Sequence, residues 1–338
     1  EFITGTSVNG VPEWAAHLQD KRTSLGVTDQ KHIWDPDLPR WLLDYTQFHA
    51  EALANVTDDT SFLMYTCDPK KWRCGGTGDR LLGMVQLFYL ALLTGRVFLI
   101  GSFGPFPLTD TVVENLIQWS FMPDTPMSDA RMIHAVYMRE PASLQLSKLQ
   151  EDPVRLVLAS CNWFHPGKWW QSAAMKQYLA KYGIDPTATA PPKQLFRWAF
   201  HVLFRKSTAV QLQMRTMKDE LGLQHRDRYV GIHVRIGDKY QGWGHDRRTP
   251  MSALGAFLEC GQRMQQVVLS DDAETANDGH RPIMFVASDS HAAKARLAEM
   301  DNTTRSVDIV LFHTDLSSPH VDGAKVGNLA LWAELFLL

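Results

Sequence analysis

The stretch GGTGDRLLGMVQLFYLALLTGRVFLIG, residues 75–101, contains the pattern that decides the fold. Its glycine-rich start predicts a turn, and the apolar run over 79–93 is too dense for an exposed amphipathic helix, so it predicts a largely buried one. Gly95 ends that helix, and residues 96–101 are typical of a short parallel strand covered on both faces. Turn, buried helix and buried strand in this order predict half of a doubly wound α/β unit.

The segments on either side extend the same pattern. Residues 39–52 show apolar spacing that predicts a helix, and residues 61–66 and 155–159 are β-rich runs that predict strands. The tract over 193–221 predicts two consecutive helices that end at Gly222. The N-terminal part of the chain is therefore predicted to be α/β.

A second α/β unit is predicted after the charged segment 224–228. We expect two Rossmann-like domains that face a cleft, an N-terminal domain over 31–223 and a C-terminal domain over 224–338. The predicted elements of the second domain are strands over 229–234, 282–287 and 308–312 and helices over 250–269 and 290–300.

The two ends of the sequence resemble cut ends. Residues 1–30 contain no initiator Met and no apolar signal segment, so we expect a flexible leader or a cloning remnant. Residues 332–338 lie inside an apolar helical run, so we expect the second domain to continue past Leu338. The most apolar stretch, 85–100, is interrupted by polar residues and falls short of the roughly 18 to 20 residues that span a bilayer. Membrane attachment would thus require an N-terminal anchor outside this sequence.

Composition excludes two classes of protein. With 338 residues, 45% apolar and 21% charged, the chain is not disordered. Its 34 basic and 37 acidic residues leave a net charge of −3, which excludes a nucleic-acid binder that works by bulk charge. Segment 193–248 nevertheless carries +7, leaving −10 for the remainder. A positive segment in an acidic protein indicates an anionic small ligand, although solvated helix faces would explain part of it.

The four cysteines are too few for a disulfide scaffold. Cys67 and Cys74 lie seven apart beside a turn, a spacing that fits a small disulfide loop and does not fit a CxxC zinc or redox pair. Cys161 and Cys260 either pair or remain buried thiols, and we favour the buried thiols.

The segment GIHVRIGDK, residues 231–239, carries the strongest chemical signal. Here a predicted buried strand runs directly into Arg235, and the carboxyl ends of such strands meet the ligand crevice of an α/β sheet. The planar guanidinium can hold two phosphate oxygens at once and stays ionised, so it could stabilise a diphosphate leaving group without metal. The structural alternative is a salt bridge between Arg235 and Asp238.

This segment resembles the first donor motif of the GDP-fucose-dependent fucosyltransferases, which include core α1,6-, protein O- and plant xyloglucan α1,2-fucosyltransferases. Residues 75–97 are similar to the glycine loop and helix of that family, particularly its plant-type members, with Asp-Arg where Asn-Arg is usual. Residues 286–290 (VASDS) resemble the second motif, and residues 195–203 resemble the plant-type helix between the domains. The matches occur in family order over about three quarters of the chain.

The resemblance implies a GT-B-type arrangement of the two Rossmann-like domains. It also implies an inverting transfer of fucose from GDP-fucose to a hydroxyl of a glycan acceptor, with no metal or other cofactor. Arg235 and His233 would contact the β-phosphate, and Asp289 would recognise guanine or ribose. The third motif of the family would follow residue 338 and lies outside the sequence. The implied donor-binding residues are His233, Arg235, Asp238, Lys239, Ser288, Asp289, Gly76, Gly78, Asp79 and Arg80.

The catalytic residues are predicted around Arg235. An inverting transfer often uses a base that takes the proton from the acceptor hydroxyl, and Asp246 and His245 on the following glycine-containing loop are the candidates. A mechanism without a base is the alternative. Gln241 stands where the core α1,6 branch has a glutamate and cannot act as a base, and Ile236 replaces a second arginine of that branch.

Three tryptophans are predicted to bind the acceptor. Indole faces suit sugar rings through apolar contact, which favours Trp169, Trp170 and Trp243 as acceptor-site residues. Their structural alternative is a loop held to the core by tryptophan, which we favour for Trp163.

Two rival functions remain open at this point: a transferase of the same architecture that uses another nucleotide sugar, and a catalytically silent glycan-binding homologue. Asn55 and Asn302 start glycosylation acceptor patterns. With the resemblance, these patterns lead us to expect a glycoprotein of the secretory pathway, the lumenal domain of a type II Golgi membrane protein.

Overall fold

The computed structural model describes residues 37–67, 77–101, 107–123, 130–134, 149, 154–161, 166–187, 194–223, 229–236, 249–270, 283–288, 290–304 and 308–311. The chain divides into two compact units. The first comprises Glu1–Phe103 and Glu114–Arg205, and the second comprises Gly104–Val113 and Lys206–Leu338.

Helices and strands alternate along most of the described chain. The strands are β1 (Phe62–Tyr65), β2 (Val97–Ile100), β3 (Val112–Glu114), β4 (Arg131–His134), β5 (Leu156–Ser160), β6 (Phe204–Lys206), β7 (Val230–Val234), β8 (Ile283–Ser288) and β9 (Asp308–Leu311). The helices are α1 (Arg40–Ala54), α2 (Thr77–Thr94), α3 (Pro166–Trp170), α4 (Ala173–Ala180), α5 (Leu195–Leu203), α6 (Thr208–Glu220), α7 (Leu254–Ser270) and α8 (His291–Thr304). Two short 3₁₀ helices cover Leu108–Asp110 and Met251–Ala253.

The predicted buried helix is α2. Fourteen of its 18 residues are buried, because its apolar side chains surround the helix instead of forming a single stripe. It ends at Gly95, whose φ of +63° is a conformation that residues with a side chain rarely adopt. Among the described residues, no helix is both long and apolar enough to cross a bilayer.

The first unit contains a four-stranded sheet in the order β2-β1-β5-β4. Its neighbouring strands are parallel, with Tyr65 opposite Ile100 on one side and Ala159 on the other. Every residue of β1, β2 and β5 is buried, so these strands are covered on both faces, as predicted for β2.

The second unit contains a three-stranded parallel sheet in the order β7-β8-β9. Side chains of α7 and α8 pack on one face against residues such as Ile232 and Met284. On the other face, Met217 of α6 packs against Phe285 and Ala287. Helix α6 therefore belongs to the second unit, whereas the sequence analysis places the domain boundary after residue 223.

The structure confirms a mixed α/β chain with parallel sheets. Three short strands, β3, β4 and β6, were not predicted, because they lack the continuous run of apolar residues that marks β1, β2 and β5. Helix α2 begins at Thr77, two residues earlier than predicted, so Gly78 lies in its first turn and not in the preceding loop. Cys260 is an exposed free thiol on α7, which corrects the expectation of a buried one, while Cys161 is free and buried.

Candidate functional site

The carboxyl end of β7 carries the two predicted phosphate ligands His233 and Arg235. Both are exposed, and they alternate with Ile232, Val234 and Ile236, which are buried. The alternation follows from the pleat, because successive side chains of a strand point to opposite faces. The buried members pack into the core under α7 and α8.

His233 and Arg235 therefore lie on the opposite face of the sheet, where Met217 of α6 packs against Phe285 and Ala287 of the neighbouring strand β8. His233 is paired with Ala287 of β8, and Ala287 packs against Met217 of α6. Arg235 follows the last residue of β7 and remains exposed on this face. An imidazole and a guanidinium thus stand two residues apart where the strand ends, a geometry suited to an anionic ligand.

Ser288, the predicted donor contact on β8, is paired with Val234 and so lies on the other face, toward α7 and α8. Its Oγ accepts a hydrogen bond of 3.2 Å from the N–H of Ser290. The Oγ of Ser290 in turn accepts one of 3.3 Å from the N–H of Ala293 in the first turn of α8. The serine of the second motif therefore shapes the turn that follows its strand.

The start of α2 places Asp79 and Arg80 differently. Asp79 is exposed, whereas Arg80 is only 3% exposed. Burial raises the pKa of the nearby Tyr65 phenol, and the charge of Arg80 opposes that rise while Cys161 and Asp79 add to it. Arg80 thus sits within the first unit with little surface for a ligand. Its donor-binding role, like that of Gly78 and Asp79, stays a prediction.

Cysteines follow the carboxyl ends of two adjacent strands at this edge. Cys67, two residues after β1, is disulfide-bonded, and its predicted partner Cys74 lies outside the described residues. Cys161, directly after β5, is a free buried thiol. Both cysteine side chains are therefore buried at the carboxyl edge of the first sheet.

Of the predicted acceptor residues, Trp170 ends α3 and is 4% exposed. Within the described part of the chain, its indole N–H has no hydrogen-bond partner. Trp169 precedes it in the same helix, but its side chain is not described. The acceptor roles of both remain predictions.

The other predicted site residues lie outside the described residues. They are Gly76, Asp238, Lys239, Trp243, His245, Asp246 and Asp289.

The described residues form no cluster of three or more His, Cys, Asp or Glu side chains that could hold a metal ion. The sequence contains one Asp-x-Asp triplet, residues 35–37, a pattern that can bind metal in glycosyltransferases of other kinds. Of this triplet only Asp37 is described, and it is exposed.

Sequence reasoning did not assign a role to Ser290. The signal was present, because a serine directly before a helical run is a strong N-cap preference, and the predicted helix began at this residue. What the sequence did not reveal is the second hydrogen bond, from the Ser290 N–H to Ser288, which ties the cap to the end of β8.

No protein-family model matches the chain, and no curated protein does. Its structure is similar to that of a FUT1 mutant from Arabidopsis thaliana in complex with GDP, with a TM-score of 0.60 and 16% identity, covering 88% of this chain and 71% of that one. It also matches the fucosyltransferase NodZ from Bradyrhizobium, with a TM-score of 0.38 and 14% identity over 82% of this chain and 85% of that one. POFUT1 in complex with GDP-fucose matches with a TM-score of 0.36 and 14% identity, over 76% and 85%.

Of these three structures, FUT1 alone has a TM-score above 0.5, and at 16% identity the likeness concerns the fold. The chain therefore shares the fold of FUT1, and the resemblance predicted from its motifs is confirmed at the level of the fold.

Proposed function

We propose that the chain is an inverting glycosyltransferase that moves fucose from GDP-fucose to a hydroxyl of a glycan acceptor. The observation that carries this proposal is the exposed pair His233 and Arg235 at the carboxyl end of β7, in a chain that shares its fold with a protein solved in complex with GDP. A guanidinium and an imidazole at a strand end can together hold the oxygens of a diphosphate.

In the proposed reaction, Arg235 neutralises the charge that develops on the β-phosphate as the bond to fucose breaks. Neutralisation of a leaving group stabilises the transition state more than the ground state, so it raises the rate of transfer. The acceptor hydroxyl attacks from the opposite face of the sugar, and its proton passes to Asp246 or His245, or to solvent in a mechanism without a base. No metal is needed for this step.

The remaining parts of the proposal rest on the motifs. They comprise two Rossmann-like domains in a GT-B-type arrangement, donor binding mainly by the C-terminal domain, and an acceptor bound by tryptophans. We also propose a place in the secretory pathway, in the Golgi lumen.

The test begins with nucleotide affinity. We expect isothermal titration calorimetry to detect GDP binding, with UDP and ADP at least tenfold weaker. A tenfold difference corresponds to about 1.4 kcal/mol. Equal affinity for UDP or ADP would favour a transferase that uses another nucleotide sugar.

Arg235→Ala should weaken GDP binding and slow fucose transfer by tenfold or more. Arg235→Lys should recover only part of the loss, because an ammonium lacks the planar fork that holds two oxygens. Arg263→Ala is the matched control, since Arg263 is an exposed arginine on α7 whose carboxylate partner, Glu259, lies on the same helix. The phosphate role of Arg235 is wrong if its alanine variant stays within tenfold of the wild type in both measurements.

Transfer should also proceed unchanged in EDTA. A chain that binds glycan and GDP but releases no GDP from GDP-fucose would instead be the silent glycan-binding homologue.

A further inference from the structure

The acceptor pattern Asn55-Val56-Thr57 lies in the connection between α1 and β1. Asn55 is the first residue after α1, and its φ of −132° and ψ of 60° take the chain out of the helix. All three residues of the pattern are exposed. An Asn-x-Thr pattern is an acceptor for N-linked glycosylation in a surface loop, and this one lies in such a loop.

The second half of the connection is a hydrogen-bonded turn. The N–H of Thr60 donates to the carbonyl of Thr57 at 3.1 Å, and the N–H of Thr57 donates to Thr60 Oγ1 at 2.9 Å. Arg155 Nε–H donates to the carbonyl of Thr60 at 3.3 Å, which ties the turn to the residue before β5. The turn thus fixes the end of the connection, while Asn55 and Val56 before it stay exposed.

The fold does not use the carboxamide of Asn55. The backbone N–H of Asn55 donates to the carbonyl of Glu51 at 3.1 Å, which completes the last turn of α1. Within the described residues, the side-chain amide of Asn55 has no hydrogen-bond partner. Its nitrogen Nδ2 can therefore carry a substituent without the loss of a hydrogen bond of the folded chain.

The connection lies at the edge of the first sheet where the strands begin. It leads into β1, and the neighbouring strands β2 and β5 run parallel to β1. Ligands of open parallel sheets bind beyond the carboxyl ends of the strands, which is the opposite edge. A glycan on Asn55 would therefore leave that edge accessible.

The second acceptor pattern, residues 302–304, has a different backbone. It forms the end of α8, which spans His291–Thr304. A helical backbone does not present the pattern as a surface loop does, so glycan transfer to Asn302 has to compete with formation of α8. The structure thus separates two patterns that the sequence does not distinguish.

We propose that Asn55 carries an N-linked oligosaccharide and that Asn302 does not. This inference rests on the proposed secretory location, because the sugar donor, an oligosaccharide linked to a lipid diphosphate, is present in that compartment. Asn55 Nδ2 forms a bond to the anomeric carbon of the first sugar, and the bond from that carbon to the diphosphate oxygen breaks. The lipid diphosphate leaves with the electron pair, and the proton from Nδ2 passes to a base of the host enzyme that catalyses the transfer.

The experiment expresses the 338-residue chain behind a secretion signal in a eukaryotic host and maps its glycopeptides by mass spectrometry. We expect more than half of the chains to be modified at Asn55 and fewer than one in ten at Asn302. An endoglycosidase should remove the added mass. After this digestion under native conditions, GDP affinity should stay within twofold, because the glycan lies at the edge opposite to the ligand edge.

Four variants show which residues direct the modification. Asn55→Gln should abolish the mass shift, whereas Asn302→Gln should leave it unchanged. Thr57→Ala should also abolish it, because the hydroxyl of the third residue is part of the pattern, and Thr57→Ser should keep it. Because the sugar is added to the growing chain, occupancy can be measured even in a variant that folds poorly.

The inference is overturned if the secreted chain carries no glycan on Asn55, or if Asn302 is modified to the same extent. A chain that binds GDP but has an unmodified Asn55 overturns the inference alone. A chain glycosylated at Asn55 that neither binds GDP nor transfers fucose supports the inference and overturns the proposed activity. If the chain isolated from its own cells is unmodified while the secreted one carries the glycan, the secretory location is wrong and the inference with it.

Discussion

Two regions of this chain place arginines near parallel strands in different surroundings. In the first unit Arg80 and Arg96 are each only 3% exposed, and Tyr65 and His49 are buried with them. In the second unit His233 and Arg235 are exposed where β7 ends. A buried guanidinium must form its hydrogen bonds inside the protein, whereas an exposed one at a strand end can also bind a ligand. From this comparison we expect the buried polar groups of the first unit to contribute mainly to stability, and we propose that those at the end of β7 bind a ligand.

The largest effect is expected at Arg96. Its guanidinium donates to the carbonyls of Val154 at 2.9 Å and Leu149 at 3.1 Å. Arg96→Ala would leave these acceptors without their charged donor, and each such loss costs about 1.5 to 3 kcal/mol, so we expect a loss of about 4 kcal/mol in the free energy of unfolding. Arg40→Ala should cost less than about 1 kcal/mol, because the Arg40–Asp44 pair is at the surface. Urea denaturation measures the free energy of unfolding of both variants. Similar losses in the two variants would contradict the distinction between a buried and a surface arginine.

His49 should make the stability of the first unit depend on pH. Its Nε2–H donates to the carbonyl of Phe98 at 2.9 Å, and burial lowers the pKa of the ring from 6.5 to about 4. Folding therefore favours the neutral ring. The stabilisation of the folded state that comes from the lowered pKa of His49 is fully present above pH 6.5 and is lost as the pH falls toward 4. The loss amounts to roughly 3 kcal/mol at most.

Urea unfolding at pH 7.5, 6 and 5 tests this prediction. His49→Gln should flatten the pH dependence, while His201→Gln on α5 should keep it. If the free energy of unfolding of the wild type and of His49→Gln changed with pH in the same way, His49 would not contribute to the pH dependence.

The core under β7 can be tested independently of its exposed face. A Cβ at Gly261 of α7 would lie 2.5 Å from Ile232 Cδ1 and from Met284 Cε, whereas at Gly255 it would meet only Met300 Cε at 3.6 Å. We expect Gly261→Ala to cost about 2 kcal/mol through overpacking. Gly255→Ala should be neutral or stabilising by up to about 1 kcal/mol, because alanine favours helix. Thermal unfolding of the two variants is the measurement, and equal melting temperatures would mean that the helix shifts to admit the methyl group.

The smallest change in stability is expected at Arg235. Because this side chain is exposed, Arg235→Ala should alter the free energy of unfolding by less than about 1 kcal/mol, in contrast to Arg96→Ala. The same protein sample should show the loss of GDP affinity proposed above. An unfolding free energy that falls by several kcal/mol would instead make Arg235 a structural residue.

The comparison also explains which predictions from the sequence could succeed. Periodicity and apolar density identified α2, the alternating elements of the second unit and the strand that leads into Arg235, because these signals are local and extend over many residues. The three-residue strands β3 and β6 carry too little pattern to be found. They depend on pairing with each other, which no local signal records.

At the candidate site the residue types were predictable and their surroundings were not. The sequence placed Arg80, Ser288 and Arg235 in one set of donor ligands. In the structure Arg80 is buried, the hydroxyl of Ser288 accepts a hydrogen bond in the turn after β8, and Arg235 is exposed. Exposure depends on which helices pack over a strand, and that is a property of distant parts of the chain.

By itself, the amino-acid sequence determined the order of the elements that carry a strong apolar pattern, the parallel α/β class and the identity of the cation at the end of β7, since these follow from periodicity and side-chain chemistry. The tertiary structure decided which arginine side chains are buried inside the protein and which are exposed to solvent. Helices α7 and α8 cover one face of β7, and α6 packs on Phe285 and Ala287 of the neighbouring strand on the other face, where His233 and Arg235 stay exposed. Burial is a sum of contacts among segments far apart in the sequence, so only the folded chain specifies it.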